Sequence, residues 1–341
     1  LLGEGGAAAG EETQRSVAGS LLEQWYGEAS SIVDAWVEEH RIKAPQKRDL
    51  TWRAQRLGRF DLQQSLLQLA MVDVDGDGID ELFALGESTL FRLSSTGDGI
   101  VQRHELQSPE SHIRPRWPMG SLFALHPPGE AAQLVLRSSR KLLAVRVHLD
   151  VAGHWTEEPL TNPAGQPLST YPLCDGVTMD AVEGRAELDA STANGITLPA
   201  DSGSLQSASC GRFVAPSGQS ARFAAWIDDA DVLRLRCSGN REECWEGSRQ
   251  FEGAGYAHHI VDLDTDGHPE VVMASVSAPR GRDRVVVMSH TGTQLKRLFD
   301  RSFSNGIVAI GSGDLDGDGT VEVVVAHRGA HRGEVELWRL N

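Results

Sequence analysis

The chain has 341 residues, with 48 Asp and Glu against 32 Lys and Arg and a formal net charge of −16. That length fits one large domain plus an extension. The acidity, with no basic stripe to offset it, argues against nucleic acid as a partner, and no apolar run approaches the ~18 residues of a membrane-spanning helix.

The chain opens Leu1-Leu2-Gly3 without Met, as expected of a processed or trimmed product, so no signal peptide remains to be read. Residues 1–15 are rich in Gly and Ala and are expected to be disordered. Over 16–40, Leu22, Trp25, Ala29, Val33, Trp36 and Val37 recur with a period of about 3.6, which predicts an amphipathic helix. Its two-Trp stripe suits packing against the domain that follows or docking to a larger assembly. A short basic linker around Pro45 runs to residue 48. The domain itself is expected over 49–341.

Residues 50–61 (Trp52, Ala54, Leu57, Phe60) read as a strand. Strands are then expected at about 67–72, 81–86, 89–94 and 100–106. Between the first two lies Asp73-Val74-Asp75-Gly76-Asp77-Gly78-Ile79-Asp80-Glu81. Counting Asp73 as position 1, carboxylates occupy positions 1, 3, 5 and 9 and Gly occupies position 6. After a Pro-rich link over 109–118, a second unit has strands near 121–125, 133–136, 142–147 and Trp155. Its first turn is His126-Pro127-Pro128-Gly129-Glu130, which asks for no cation.

Residues 160–209 are rich in Ser, Gly, Asp and Pro and are expected to form an irregular insertion, with candidate strands at 178–182 and 185–188. Another unit without acidic loop follows, with strands near 212–214, 222–227 and 232–237. The four cysteines, Cys174, Cys210, Cys237 and Cys244, lack zinc-like spacing. Their even number suggests disulfides in an oxidising compartment. Three pairings are possible, with Cys237–Cys244 and Cys174–Cys210 favoured.

The acidic loop then returns twice. Asp262, Asp264, Asp266, Gly267, His268 and Glu270 fill positions 1, 3, 5, 6, 7 and 9 of the second copy. Asp314, Asp316, Asp318, Gly319, Thr320 and Glu322 fill the same positions of the third. The 12 ligand-type carboxylates of the three loops account for most of the net charge of −16. Four carboxylates within nine residues repel one another, and a hard divalent cation wanting six to eight oxygens relieves that repulsion. Calcium is the expected occupant, at three sites. Position 7 (Ile79, His268, Thr320) varies freely, as it would if only its backbone carbonyl were a ligand. The recurrent Gly suits a sharp reversal.

These are not EF-hands. Position 12 is Ala84, Met273 or Val325 rather than Glu, and apolar β-branched runs flank each loop instead of helices. The unit is strand, acidic loop, strand. It resembles the FG-GAP/VCBS repeat, the propeller blade of integrin alpha subunits and of many bacterial secreted proteins. The family loop usually has Asp at position 9, where this chain has Glu three times.

The resemblance implies an all-β propeller of six, with a seventh possible, four-stranded blades. Because the chain ends on 335–340, the last blade is one strand short. Residues near 52–62 are expected to complete it and so remove an open sheet edge.

No nucleophile elbow, P-loop, dinucleotide fingerprint or zinc-protease motif occurs, so no catalytic residue is assigned. Asp228-Asp229 reads as a hairpin turn before it reads as a catalytic pair. His258, His259, His268, His327 and His331 cluster in sequence, but alternation along a strand sends His258 and His259 to opposite faces. Trp117, Trp155, Trp226, Trp245 and Trp338 are as well explained by blade packing as by a carbohydrate platform.

The expectation is a calcium-binding, non-catalytic module outside the cytoplasm (periplasmic, cell-surface or secreted). It would bind a protein or glycan partner. The alternatives are a polysaccharide-acting lyase or hydrolase and a structural subunit of an envelope or appendage complex.

Overall fold

The structure is a computed structural model that describes residues 52–340, apart from 113–119, 126–131, 151–152, 162–163, 170, 175–176, 183–184, 189–206, 215–219, 228–232, 239–253, 265–268, 276–281, 292–293, 330 and 332. The disordered segment, helix and linker expected over 1–48 lie outside the described residues. So do Asp266 and His268 of the second loop, Trp117, Trp245 and Asp228-Asp229.

All regular structure among the described residues is β. In chain order the strands are β1 (Ala54–Asp61), β2 (Gln68–Val72), β3 (Glu81–Leu85), β4 (Thr89–Leu93) and β5 (Ile100–Glu105). Next come β6 (Gly120–Leu125), β7 (Gln133–Ser138), β8 (Val145–Leu149) and β9 (Trp155–Pro159). They are followed by β10 (Tyr171–Cys174), β11 (Val177–Val182), β12 (Arg185–Leu188), β13 (Ser207–Val214), β14 (Ser220–Ile227) and β15 (Leu233–Ser238). The chain finishes with β16 (Ala254–Val261), β17 (Glu270–Ser275), β18 (Asp283–Thr291), β19 (Gln294–Phe303), β20 (Ile307–Gly313), β21 (Glu322–Arg328) and β22 (Glu334–Leu340).

These strands form six antiparallel sheets: β2–β5, β6–β9, β10–β12, β13–β15, β16–β19, and a last sheet ordered β1-β22-β21-β20. The segment expected to be an irregular insertion therefore holds a sheet of its own, β10–β12, besides the start of β13. The candidate strands at 178–182 and 185–188 are β11 and β12, while the four-residue β10 was hidden by the Ser, Gly and Pro content around it. Among the described residues, that sheet and β13–β15 have three strands each.

The first strand of each sheet meets the first strand of the next. β2 lies against β6, β6 against β10, β10 against β13, β13 against β16, β16 against β20, and β20 against β2. Among the described residues, sheets that follow one another around a closed ring of inner strands have the arrangement of a β-propeller. The ring is sealed by β1, which pairs antiparallel with β22 from Ala54↔Leu340 to Asp61↔Glu334. β1 thus completes the last sheet, the place expected for residues near 52–62.

The core lies between neighbouring sheets. One cluster joins the last sheet to the β2–β5 sheet through Phe60, Leu62, Leu69, Met71, Phe91, Val324 and Leu337. A second joins the β2–β5 and β6–β9 sheets, and a third joins β16–β19 to the last sheet. β3, second in its sheet, is buried on both faces, so it reads as the continuous apolar run Leu82-Phe83-Ala84-Leu85. β5, at the outer edge, alternates between half-buried and exposed residues.

Candidate metal centres

The three acidic loops occupy one structural position: each links the first strand of its sheet to the second, β2 to β3, β16 to β17 and β20 to β21. The three sheets are consecutive around the ring, because β20 lies between β16 and β2.

Position 2 of each loop anchors it. Val74, Leu263 and Leu315 are buried in the intersheet cores. Their backbone N–H groups each donate to an Oε2 of the Glu at position 9: Glu81 at 2.9 Å, Glu270 at 2.9 Å and Glu322 at 3.0 Å. The long arm of Glu lets position 9 reach back across the loop. That contact gives a structural role to the residue that departs from the usual Asp.

Position 1 organises the turn. Asp73 Oδ1 accepts N–H groups from Gly76 (2.6 Å) and Asp77 (3.2 Å), and its Oδ2 accepts Gly78 at 2.9 Å. Asp314 does the same for Gly317 (2.7 Å), Asp318 (3.2 Å) and Gly319 (2.7 Å). Gly78 and Gly319, at position 6, have φ of 86° and 80°. Gly76 and Gly317, at position 4, have φ of 80° and 73°, so loops 1 and 3 require two left-handed residues where the repeat pattern marked one.

Positions 1, 3 and 9 converge. Asp73, Asp75 and Glu81 bring carboxylate oxygens within 4.8 Å of one another, as do Asp262, Asp264 and Glu270, and Asp314, Asp316 and Glu322. At that spacing each pair of ionised carboxylates repels by about 3 kcal/mol for an effective dielectric constant of ~20. In loops 1 and 3 position 5 stands outside these groups: Asp77 and Asp318 each accept the N–H of position 7, from Ile79 and Thr320, at 2.8 Å. The Thr320 hydroxyl also bonds Asp318. The repetition in sequence did not separate position 5 from the other three acids; the geometry does.

Burial acts on the same carboxyls. It raises Glu81 to about 7, with the Asp75 carboxylate adding to the shift while Arg92 and the Val74 N–H oppose it. Glu322 is raised mainly by burial, and the charges of Asp316 and Asp318 add to that.

Loops 1 and 3 also hold each other. Asp80, at position 8, donates its N–H to the Asp314 carbonyl at 2.7 Å, and its Oδ2 accepts the Asp314 N–H at 2.7 Å. A side chain at Gly317 would strike Ile79, its Cβ lying 2.8 Å from Cγ1. The exposed apolar residue of loop 1 thus rests on the backbone of loop 3. Sequence reading did not single out Asp80, because its partner is remote in the chain.

The remaining candidates go to packing. His258 Nε2 meets the Ala225 carbonyl at 3.1 Å, whereas His259 Nε2 meets Ser312 Oγ at 2.8 Å, so the two rings serve opposite neighbouring sheets. His327 accepts the indole N–H of Trp338 at 3.0 Å. Trp338 packs edge-on against Phe303, and Trp155 packs against Phe83 and His104. The side chains of Trp226 and of the four cysteines lie outside the described residues. No described helix is long and apolar enough to cross a membrane.

Comparison with known proteins agrees with this architecture. Residues 262–325, which hold loops 2 and 3, match the model of the FG-GAP-like repeat. No curated protein matches the chain. Among solved structures, AofleA from Arthrobotrys oligospora superposes with a TM-score of 0.52 at 14% identity, covering 85% of this chain and 86% of that one. The PQQ-bound aldose sugar dehydrogenase of Streptomyces coelicolor gives a TM-score of 0.45 at 12% identity, covering 86% and 100%. At 14% identity the likeness to AofleA is one of fold.

Proposed function

We propose that this FG-GAP-type β-propeller is a calcium-stabilised binding or scaffold module that works outside the cytoplasm on a protein or glycan partner. The observation that carries the reading is the threefold convergence of positions 1, 3 and 9 at the same place in three consecutive sheets. All the donors are hard carboxylate oxygens, which suit calcium far better than a transition metal.

The residues that would hold the ion are Asp73, Asp75 and Glu81 in loop 1, with the Ile79 carbonyl and Asp77 completing the set. Their equivalents are Asp262, Asp264, Asp266, His268 and Glu270 in loop 2, and Asp314, Asp316, Asp318, Thr320 and Glu322 in loop 3. Bound there, calcium supplies positive charge to a loop whose carboxylates repel. Because the ion binds only the folded loop, its binding energy adds to stability. The reading makes calcium a part of the scaffold, with recognition left to the surfaces the scaffold holds in place.

The test is thermal unfolding of the full chain after chelator treatment and after readdition of calcium, with bound calcium measured by elemental analysis. Calcium should raise Tm by several degrees, and magnesium at the same concentration should do less. An unchanged Tm with no retained calcium would refute the reading. A capture experiment from the native extracytoplasmic fraction, with and without chelator, then separates two roles. Partner loss together with unfolding places calcium in the scaffold, and partner loss from a folded protein places it in the interface.

A further inference from the structure

The three loops share a donor pattern but differ in what approaches them from the third strand of the sheet. In the β2–β5 sheet, β4 pairs Arg92 with Phe83, two residues beyond Glu81 and on the same face. In the last sheet, β22 pairs Arg339 with Val324, two residues beyond Glu322. From these matching register positions both guanidinium groups reach back diagonally to the acidic loop. Arg92 Nη2 lies 2.6 Å from Glu81 Oε1 and 3.6 Å from Asp75 Oδ2. Arg339 Nη2 bonds both Asp316 Oδ2 and Glu322 Oε1. In each case a single nitrogen bridges positions 3 and 9. In the β16–β19 sheet the corresponding residue, opposite Val272, is Val287, which is fully buried.

We infer that Arg92 and Arg339 are built-in competitors of the metal: each guanidinium holds the two carboxylates, at positions 3 and 9, that a calcium ion would need. Both side chains are largely withdrawn from water, at 24% and 17% exposure, so these pairs are stronger than ordinary surface ion pairs. An oxygen that accepts a guanidinium N–H offers less to a cation, and two positive centres sharing one carboxylate pair repel. Calcium at loop 1 or loop 3 must therefore push the arginine aside, and its apparent affinity falls by the strength of the ion pair. In return, the arginine keeps these loops folded when calcium is scarce. The inference rests on the calcium reading above and adds a specificity device to two of the three sites.

The experiment is calorimetric titration of CaCl2 into the chelator-stripped full chain, for wild type, Arg339→Gln, Arg92→Gln and the double variant. Thermal unfolding in chelator serves as a second readout. Each single substitution should tighten one site by about tenfold or more, the difference a pair of modest strength makes. The double variant should tighten two and leave the third unchanged. In chelator both single variants should melt below wild type, and the gap should close in calcium. Arg339→Lys retains a charge but loses the planar fork and should fall between wild type and Arg339→Gln, which covers the case where the Gln variant does not fold without calcium. Calcium binding by wild type that is unchanged or weakened in both Gln variants would overturn the competition while leaving the calcium reading intact. Failure of every protein to bind calcium would overturn the calcium reading, and the competition with it.

Discussion

Among the described residues the sheets fall into two arcs. β16–β19, the last sheet and β2–β5 carry acidic loops between their first and second strands, whereas the sequence between the first two strands of β6–β9, β10–β12 and β13–β15 holds no copy of that loop. First strands succeed one another in both arcs, so the acidic loop is not required to build a sheet of this ring. What the acidic arc adds is a set of contacts between loops and across the seam where the chain's first strand meets its last. That seam is sealed by β1 on β22 and by Asp80 on Asp314, and both closures lie in the acidic arc. Ring closure is the weak point of a propeller, because it depends on joining residues far apart in sequence. The sheets that share that seam are two of those with candidate metal loops.

The largest test of this contrast removes the seam. Deleting residues through 62 takes away β1 with Phe60 and Leu62, which are 2% and 1% exposed. It also uncovers the edge of β22. The deletion should leave no cooperative unfolding transition and should drive the chain into aggregates, as seen by circular dichroism and size-exclusion chromatography. Phe60→Ala, a milder version, should cost about 3–5 kcal/mol in denaturant unfolding.

Next in size is Asp314→Ala, which strips the acceptor from three backbone N–H groups of loop 3. At about 1 kcal/mol for each bond, the loss in calcium should be about 3 kcal/mol. Asp150→Ala, in the β8–β9 turn of the other arc, removes acceptors for His154 and should cost about 1 kcal/mol, equally with calcium and with chelator. Equal calcium dependence for the two substitutions would erase the distinction between the arcs.

Asp80→Ala should cost about 1 kcal/mol, by orphaning the Asp314 N–H. A double-mutant cycle of Asp80→Ala with Ile79→Ala would then show whether the clasp acts as one unit. Additive effects would mean that the Asp80 bond and the Ile79 contact hold loop 3 independently of each other.

The smallest effect concerns pH. Burial, helped by neighbouring His258, lowers the His259 ring to about 4 from its ordinary 6.5. The folded state therefore resists protonating it. The stability this ring contributes is complete above pH 6.5 and is lost as pH falls toward 4. Stability measured between those limits should decline less steeply in His259→Gln than in wild type. Identical slopes would mean that the ring is open to water where β16 meets β20.

Much of the acidic arc was legible from residues alone. Alternating acids with a buried apolar residue at position 2, glycine at position 6 and β-branched runs on both sides form a local code. Every part of it lies within about a dozen residues, so spacing suffices to read it. The strand expected near 52–62 is likewise present as β1. The β10–β12 sheet was less readable because its strands are short and its composition resembles that of loops.

By itself, then, the sequence determined the all-β class, the three acidic loops and the strand that closes the ring. Tertiary structure alone decided that position 5 stands apart from positions 1, 3 and 9 in loops 1 and 3, that Asp80 ties loop 1 to loop 3, and that Arg92 and Arg339 reach their loops while Val287 occupies the matching place in the third. The physical reason is distance along the chain. A loop's donors follow from local spacing, but the cations and clasps that meet them arrive from other strands, and only the register of the sheets fixes which side chains those are.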